Sequence, residues 1–206
     1  MTHYGMAIDK KRCIACNTCC VGCKVENNLP ENMWWNRVVN EGGENPDSSS
    51  GTYPELKMSA YTLSCQHCIN PACVSVCPSE ATYRDAETGI VMQDLDKCIG
   101  CNLCIEACPY GVRTLQEDEP VYYTDFALGG EGAPGHIAGT VEKCTFCHHR
   151  VVNGEQPFCV EVCPARARTF GDLDDPDSDL SKLIASRECE QLQLDAGTGP
   201  SVYLLV

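Results

Sequence analysis

Apolar residues occur in short groups along this chain, and few of these groups have the spacing of a long regular element. Ala81–Tyr83 and Ile90–Met92 flank a turn sequence at Asp85–Gly89, a pattern that predicts a small β-hairpin. Another short strand is predicted where Trp34 and Trp35 precede Arg37, Val38 and Val39. The chain is therefore expected to form short elements joined by long connections.

One helix is predicted near the C terminus. A residue within Asp177–Asp179 would cap it, and Leu180, Leu183 and Ile184 would share its apolar face. The acidic residues here resemble the start of an EF-hand loop, but Ser186 replaces the bidentate glutamate of that loop. Calcium binding is therefore not expected.

Neither end of the chain has the pattern of a targeting or membrane segment. Residues 1–12 contain no apolar core and no twin arginine, and residues 201–206 are far too few to cross a bilayer. We therefore expect no transmembrane segment.

The composition changes this picture in two ways. Leu, Ile, Val and Phe together make up 42 of 206 residues, close to the level at which chains fail to form an aliphatic core. Something other than aliphatic packing must therefore fill the interior. The formal net charge of −14 argues against nucleic acid or an anionic membrane surface as the main partner, because both attract basic patches.

The chain has 18 cysteines, and their spacing separates three chemistries that use so many: disulfides, structural zinc and iron–sulfur clusters. Residues 98–109 read CIGCNLCIEACP, the C-x2-C-x2-C-x3-C-P pattern of a [4Fe–4S] cluster. Residues 13–23 have the same spacing without the proline, and two further groups widen only the middle spacing. The four groups are Cys13, Cys16, Cys19 and Cys23; Cys65, Cys68, Cys73 and Cys77; Cys98, Cys101, Cys104 and Cys108; and Cys144, Cys147, Cys159 and Cys163.

Zinc and disulfides are the alternatives for these cysteines. Cys144 and Cys147 with His148 or His149 resemble a zinc site taken alone, but zinc seldom uses three cysteines spaced two residues apart. A disulfide framework would require a secretory context, for which the N-terminal residues give no sign. Iron–sulfur clusters are therefore the favoured interpretation.

In two-cluster ferredoxins the fourth cysteine of each group binds the cluster of the other group. Only the predicted hairpin separates the second and third groups, so we expect them to share a module, which leaves the first and fourth groups to share another. Four [4Fe–4S] clusters are then expected, with crossed ligands. Set 1 is Cys13, Cys16, Cys19 and Cys163; set 2 is Cys23, Cys144, Cys147 and Cys159; set 3 is Cys65, Cys68, Cys73 and Cys108; and set 4 is Cys77, Cys98, Cys101 and Cys104.

This pairing predicts an α+β fold of two ferredoxin-like two-cluster modules with short β-hairpins, short helices and long connecting loops. Residues 55–118 would form the inner module, and residues 1–54 with 119–206 the outer one. Residues 26–60 and 112–143, which are rich in Gly, Asn, Pro and Ser, are expected to be surface loops or partner contacts. Trp34 and Trp35 would cover a cluster or anchor an interface.

Four residues outside the ligand sets also have expected roles. Lys24 stands where the other groups have proline, and its charge would raise the potential of the set 2 cluster. His67 would either donate a hydrogen bond to a cluster sulfur or be an exposed loop residue. Cys20 and Cys189 fall outside the shared spacing and are expected to be buried free thiols.

Four ferredoxin groups in this order resemble the iron–sulfur subunits of the dimethyl sulfoxide reductase family of molybdenum oxidoreductases. The matching segments are CIACNTCCVGCKVEN, CQHCINPACVSVCP, CIGCNLCIEACPYGV and CTFCHHR…FCVEVCPARAR. The chain is similar to the small subunits of arsenate and polysulfide reductases and of pyrogallol transhydroxylase and catechol dehydroxylase systems. The resemblance implies an electron-transfer subunit that is not itself an enzyme.

The resemblance also implies partners. The catalytic partner would be a large molybdopterin subunit with a molybdenum or tungsten bis-pterin cofactor, and the set 1 cluster would lie nearest to it. The external donor or acceptor would be a membrane quinol-handling subunit or a cytochrome. The protein would be cytoplasmic or exported in folded form with a partner that has a twin-arginine signal.

Two other functions fit part of the sequence. A free polyferredoxin would carry electrons to several cytosolic enzymes, although the long loops and tail favour a fixed partner. A zinc-stapled interaction scaffold would be colourless and would bind zinc instead of about sixteen irons.

Overall fold

The computed structural model describes residues 2–42 and 49–206. Part of the segment 26–60, predicted to be a surface loop or partner contact, therefore lies outside the described residues. Within those residues the chain forms short strands and helices, which agrees with an α+β fold. The strands are β1 (Tyr4–Asp9), β2 (Arg37–Asn40), β3 (Ala60–Leu63), β4 (Thr82–Arg84), β5 (Val91–Gln93), β6 (Thr114–Gln116), β7 (Thr140–Glu142), β8 (Arg168–Asp172), β9 (Cys189–Glu190) and β10 (Val202–Leu205).

Six α-helices are found in the same residues. Only two of them exceed one turn, because the cysteine loops interrupt the chain every few residues. The helices are α1 (Thr18–Glu26), α2 (Ala72–Ser75), α3 (Leu103–Glu106), α4 (His148–Val151), α5 (Phe158–Glu161) and α6 (Asp179–Ser186), and a 3-10 turn covers Leu194–Ala196.

One four-stranded sheet joins the two ends of the chain. Its strand order is β8-β1-β10-β9. Met6 of β1 pairs with Phe170 of the antiparallel neighbour β8 and with Val202 of the parallel neighbour β10. All three side chains are buried in one core that also contains many of the cysteines. The N-terminal cysteine group is thereby held beside the C-terminal one.

Three two-stranded hairpin pairs complete the strands. The predicted hairpin is present as β4–β5, with Tyr83 opposite Met92, although both strands begin one residue later than expected. The strand predicted at Arg37, Val38 and Val39 is present as β2, which pairs with β3. The segment 112–143, expected to be a loop, also contains strands, since β6 pairs with β7. Strands β3, β6 and β7 are too short to show an alternating pattern in the sequence. Both pairs cross the predicted module boundaries, so residues assigned to different modules are hydrogen-bonded to each other.

Helix α6 has the predicted cap and apolar face. The Ser178 hydroxyl accepts a hydrogen bond from the Ser181 amide, as an N-cap residue does. Leu180 is fully buried against Ala7 and Leu205, and Leu183 and Ile184 pack beside them. The helix thus covers the outer face of the sheet that joins the chain ends.

The two tryptophans have different environments. Trp35 is buried and its indole N–H lies 3.1 Å from the Met33 sulfur, whereas Trp34 is 45% exposed. The Lys24 ammonium lies 4.4 Å from the Trp34 ring centroid, a cation–π contact. No helix within residues 2–42 and 49–206 has the length and apolar character needed to cross a bilayer.

The Leu180→Ala substitution tests the packing of α6. Because Leu180 has no exposed surface, truncation should create a cavity and lower the free energy of unfolding by about 2–5 kcal/mol. Thermal unfolding of the cluster-loaded protein without oxygen would measure this loss. Leu194, which is 58% exposed, provides the control, and equal destabilisation by Leu194→Ala would contradict the assignment.

Candidate metal centres

The four cysteines of set 1 line one cavity. Its space is about 370 Å³ including the open mouth, and Arg168 forms part of its wall. Cys13 and Cys16 come from the loop after β1, Cys19 from α1 and Cys163 from the turn after α5. Chain segments about 150 residues apart in sequence therefore meet around one space.

The four cysteines of set 3 line a second cavity of similar size. Its space is about 340 Å³ including the mouth, and Arg113 and Val91 contribute to its wall. Cys73 lies on α2, and Cys108 follows α3. Two cavities of nearly equal volume, each bordered by four thiols, are the geometry that two identical compact groups would require.

The four cysteines of set 2 are all buried. Burial is the largest influence on Cys23 and raises the pKa of its thiol well above the usual value, and charges on Cys144, Cys147 and Cys159 raise it further. Burial likewise raises the pKa of Cys147 to about 12. Burial therefore keeps these thiols protonated in the absence of a metal. They lose their protons when a metal binds them as thiolates.

Set 4 is less closely assembled. Cys98 lies near enough to Cys104 to raise its pKa, although burial is the larger cause. Although burial acts to raise the pKa of the Cys77 thiol, the hydrogen bonds that its sulfur accepts from Ser79, Ala81 and Thr82 lower it. Cys101 is exposed.

Each cysteine group begins with the same backbone conformation. The residue two positions after the first cysteine has a positive φ, which turns its amide N–H toward the cysteine sulfur. The Phe146 amide lies 3.4 Å from the Cys144 sulfur, and the amides of Ala15 and His67 make the same bond to Cys13 and Cys65. Strain of about 1–3 kcal/mol at a non-glycine residue is typical of ligand clamps. The four residues are Ala15 (55°), His67 (43°), Gly100 (63°) and Phe146 (54°).

The turn after the fourth cysteine differs in the first group. In the other three groups a proline follows, and a residue with positive φ comes two positions later. In the first group Lys24 follows instead, and α1 continues to a length of nine residues. The Asn27 side-chain amide then takes the place of a backbone donor, lying 3.6 Å from the Cys23 sulfur and 3.7 Å from the Cys147 sulfur.

Arg168 is buried between the sulfurs of two sets. It lines the set 1 cavity, and its Nη1 lies 3.3 Å from the Cys159 sulfur of set 2. Its Nη2 donates to the hydroxyl of Thr62 and to the side-chain oxygen of Asn36 at 3.3 Å. Burial alone would lower the pKa of Arg168, but the charges of Cys159 and Cys19 raise it above its usual value.

Arg113 has the equivalent position after the third cysteine group, in the predicted inner module. It lines the set 3 cavity, and its Nη1 donates to Thr82 Oγ1 at 3.2 Å and to Gln93 Oε1 at 3.1 Å. Those two residues in turn face set 4. The Thr82 amide lies 3.5 Å from the Cys77 sulfur, and the Gln93 side-chain amide lies 3.8 Å from the Cys98 sulfur.

Lys143 is a third buried cation, with only 1% of its surface exposed. Its ammonium donates to the Val91 carbonyl and, at 3.0 Å, to the Cys144 carbonyl. Val91 lines the set 3 cavity, and Cys144 belongs to set 2. Burial lowers the pKa of Lys143, and the nearby Cys65 and Cys144 oppose this change.

The sequence analysis did not predict the roles of Asn27 or of the three buried cations. For the two arginines a signal exists: CPYGVR at 108–113 and CPARAR at 163–168 both place an arginine five residues after the fourth cysteine. For Lys143 there is none, because Lys97 has the same position before its group and is exposed. Charged residues are read as surface residues unless the structure shows their burial.

Lys24 has contacts that the sequence did not predict. Its ammonium donates to the carbonyls of Pro30, Glu31 and Met33 at 2.7–3.0 Å, so it holds the loop that carries Trp34. Its expected effect on the set 2 potential stays a prediction. Burial lowers the pKa of its ammonium.

His67 is fully buried, so the expectation of an exposed loop histidine is wrong. The Val91 amide donates to its Nδ1 at 3.2 Å, which leaves the proton on Nε2. Its ring stacks on Phe146 at a centroid distance of 3.7 Å. Whether its Nε2–H bonds a cluster sulfur stays a prediction.

The two cysteines outside the sets differ from each other. Cys20 is buried as expected, and its hydrogen bond to Cys19 lowers the pKa of Cys19 and raises its own. Cys20 is therefore a thiol that donates to a set 1 sulfur. Cys189 is only half-buried, since it lies on the edge strand β9. The expectation that it is buried is wrong.

A single metal ion does not suit these sites. Within residues 2–42 and 49–206, no three His, Cys, Asp or Glu side chains converge closely enough to bind one ion. A cube binds its four thiolates through different iron atoms, so the cysteines around it lie further apart than zinc ligands do.

These features define an iron–sulfur protein, and comparisons with known proteins agree. The 4Fe–4S dicluster domain family matches residues 56–123 and 135–173. A Halobacterium salinarum protein named as an iron–sulfur subunit of dimethyl sulfoxide reductase is 48% identical across 100% of this chain and 79% of its own length. The arsenate respiratory reductase iron–sulfur subunit of a Shewanella species is 36% identical across 98% of this chain and 96% of its own. A polysulfide reductase chain of Wolinella succinogenes is 36% identical across 98% and 93%.

The chain belongs to the iron–sulfur subunits of the dimethyl sulfoxide reductase family of molybdenum oxidoreductases. It binds [4Fe–4S] clusters and transfers electrons for a catalytic partner subunit, and it is not itself the catalytic chain.

Replacing Asn27 tests its role as a sulfur donor. Asn27→Leu removes both N–H···S contacts from Cys23 and Cys147 at similar side-chain size. Because such bonds stabilise the more negative, reduced cluster, we expect one cluster potential to fall. A redox titration followed by electron paramagnetic resonance measures the shift. Asn32 is exposed, and Asn32→Leu should change no potential; an unchanged potential in Asn27→Leu would contradict the role.

Proposed function

We propose that the protein holds four [4Fe–4S] clusters in two ferredoxin-like modules and conducts electrons through them in the order of sets 1, 2, 3 and 4. The inner module would comprise residues 55–118, and the outer module residues 1–54 with 119–206. The observation that carries the proposal is the pair of matching cavities, each bordered by the four cysteines expected from crossed ligation.

The modules support this assignment in different ways. In the outer module, sheet pairing of β1 with β8 brings Cys13 toward Cys163, as crossed ligation requires. In the inner module, α2 and α3 contact each other and so bring Cys73 toward Cys104 and Cys108. The mutual influence of Cys23 with Cys144, Cys147 and Cys159 supports the second outer set.

When bound, each cluster accepts and releases one electron, and the protein supplies its thiolates and its hydrogen-bond donors. The backbone amides of Ala15, His67 and Phe146 direct positive dipole ends at the sulfurs. Apolar neighbours such as Ile8 and Val38 exclude water from the set 1 cavity. A low-polarity shell of this kind controls solvent access and the potential.

Electrons need an entry and an exit, and exposure suggests where these lie. Among the described cysteines, Cys16 of set 1 and Cys101 of set 4 are the exposed ones. Ile14 and Ile99 stand at equivalent places in their groups and are 65% and 66% exposed. In the proposed order, sets 2 and 3 would lie between these two ends. The exposed side chains of Ile14 and Ile99 therefore support one protein contact beside set 1 and another beside set 4.

The partner at the set 1 end would be a large molybdenum or tungsten bis-pterin subunit. The relatives support this choice, because two of them are named as parts of an arsenate and a polysulfide reductase. At the set 4 end the partner would be a membrane quinol-handling subunit or a cytochrome.

Iron analysis combined with one crossed-ligand variant tests the proposal. Protein purified without oxygen should contain about sixteen irons, four for each cube, and no stoichiometric zinc. Cys163→Ser should lower the iron content or alter the spectrum of one cluster, because Cys163 completes set 1. Cys189→Ser is the control outside the four sets and should change neither. Eight irons in the wild type, or an unaltered Cys163→Ser spectrum, would contradict the proposal.

A further inference from the structure

Three buried cations follow the order of the proposed clusters. Arg168 lies between sets 1 and 2, Lys143 between sets 2 and 3, and Arg113 between sets 3 and 4. Their exposed fractions are 6%, 1% and 6%. Each junction between successive sets therefore contains one positive charge held away from water.

Within the described residues, none of the three has a carboxylate partner. Across residues 2–42 and 49–206, every carboxylate oxygen within 4.0 Å of a cationic nitrogen belongs to an ion pair that excludes Arg168, Lys143 and Arg113. Their hydrogen bonds go to hydroxyls, amide oxygens and backbone carbonyls. A buried charge without a counterion is strongly unfavourable, so an anion must lie nearby.

Cysteine sulfur is the anionic group that the two arginines face, and the Lys143 ammonium donates to the backbone carbonyl of the set 2 ligand Cys144. Arg168 Nη1 lies 3.3 Å from the Cys159 sulfur. Among the described residues, Arg113 Nη2 is buried without a hydrogen-bonding nitrogen or oxygen partner, and the charges of Cys73 and Cys104 raise the pKa of this arginine although burial opposes them. An oxidised [4Fe–4S] cube with four thiolates has a charge of about −2 and a reduced one about −3.

We propose that Arg168, Lys143 and Arg113 are the counterions of the cluster chain and that each raises the reduction potentials of the two clusters on either side of it. The inference rests on the proposed four-cluster function. A fixed positive charge stabilises the more negative, reduced cube, and it does so strongly in an interior where screening is weak. Because each cation is shared by two clusters, it raises both of their potentials together.

The arrangement follows the repeated cysteine groups of the chain. Arg113 and Arg168 each stand five residues after the fourth cysteine of their groups, so each returns to the space between the two clusters of its own module. Lys143 has no counterpart, since the corresponding Lys97 is exposed and pairs with Asp94 at 3.2 Å. In the proposed order the junction between sets 2 and 3 is the one that joins the two modules, and Lys143 lies at it.

Neutral substitutions test the proposal without any need to assign clusters. Arg168→Gln and Arg113→Gln should each lower two of the four potentials, and the two affected pairs should not overlap. Lys143→Met should lower the potentials of the set 2 and set 3 clusters, which is one cluster from each of these pairs. We expect at least a tenfold decrease in the equilibrium constant for reduction at each affected cluster, which corresponds to about 59 mV for a one-electron couple. A redox titration followed by electron paramagnetic resonance gives the four values.

Exposed cations at neighbouring positions provide the controls. Arg166→Gln removes a charge two residues from Arg168, and Lys97→Met removes the charge equivalent to Lys143; both side chains are exposed. Water and salt screen such charges, so both variants should keep all four potentials within twofold in the equilibrium constant. Shifts as large as those of the buried variants would overturn the proposal.

Iron content distinguishes failure of the four-cluster function from failure of the counterion role. Wild-type protein without about sixteen irons refutes the four-cluster function itself. Wild-type protein with full iron, but with Arg168→Gln potentials unchanged or all four lowered equally, refutes only the counterion role. If the neutral variants lose iron, Arg168→Lys and Arg113→Lys retain the charge and should keep the wild-type potentials within threefold. Tenfold shifts in these charge-retaining variants would also refute the counterion role.

Discussion

Bonds between cysteine sulfur and iron are the interaction on which the rest of this structure depends. Aliphatic residues and phenylalanine make up only about a fifth of the chain, and cysteines form much of its main buried cluster. The thiols border spaces that no aliphatic side chain fills. The interior is therefore organised around prosthetic groups, and the hairpins and helices form the shell that positions the ligands.

The proposed crossed ligation also fits the topology. Strand β1 lies between strands from the C-terminal part of the chain, and this pairing brings the first cysteine group beside the fourth. The set 1 and set 2 cubes would then fasten segments separated by more than 100 residues, much as disulfides do in small secreted domains. The buried cations fit the same scheme, since each would be unstable without the negative charge of the clusters that it faces.

Regular cysteine spacing and turn residues made part of this architecture predictable. The β4–β5 hairpin and helix α6 form close to their predicted positions, because Gly89 and Ser178 are strong local signals for a turn and a cap. Strand β2 was predicted from Arg37, Val38 and Val39, whereas β3, β6 and β7 were not, since three or four residues cannot establish an alternating pattern. The roles of Asn27, Arg113, Lys143 and Arg168 depend on tertiary burial, and the exposed Lys97 shows that sequence position alone does not determine it.

The central claim is that the clusters hold the fold together, and removal of iron tests it most directly. Far-ultraviolet circular dichroism would be recorded without oxygen before and after chelation under reducing conditions. We predict that the spectrum loses its native form as iron leaves and recovers when iron and sulfide are restored, because the ligand loops and buried cations lose their partners. A native-like spectrum and a cooperative thermal transition in the iron-free protein would contradict the account.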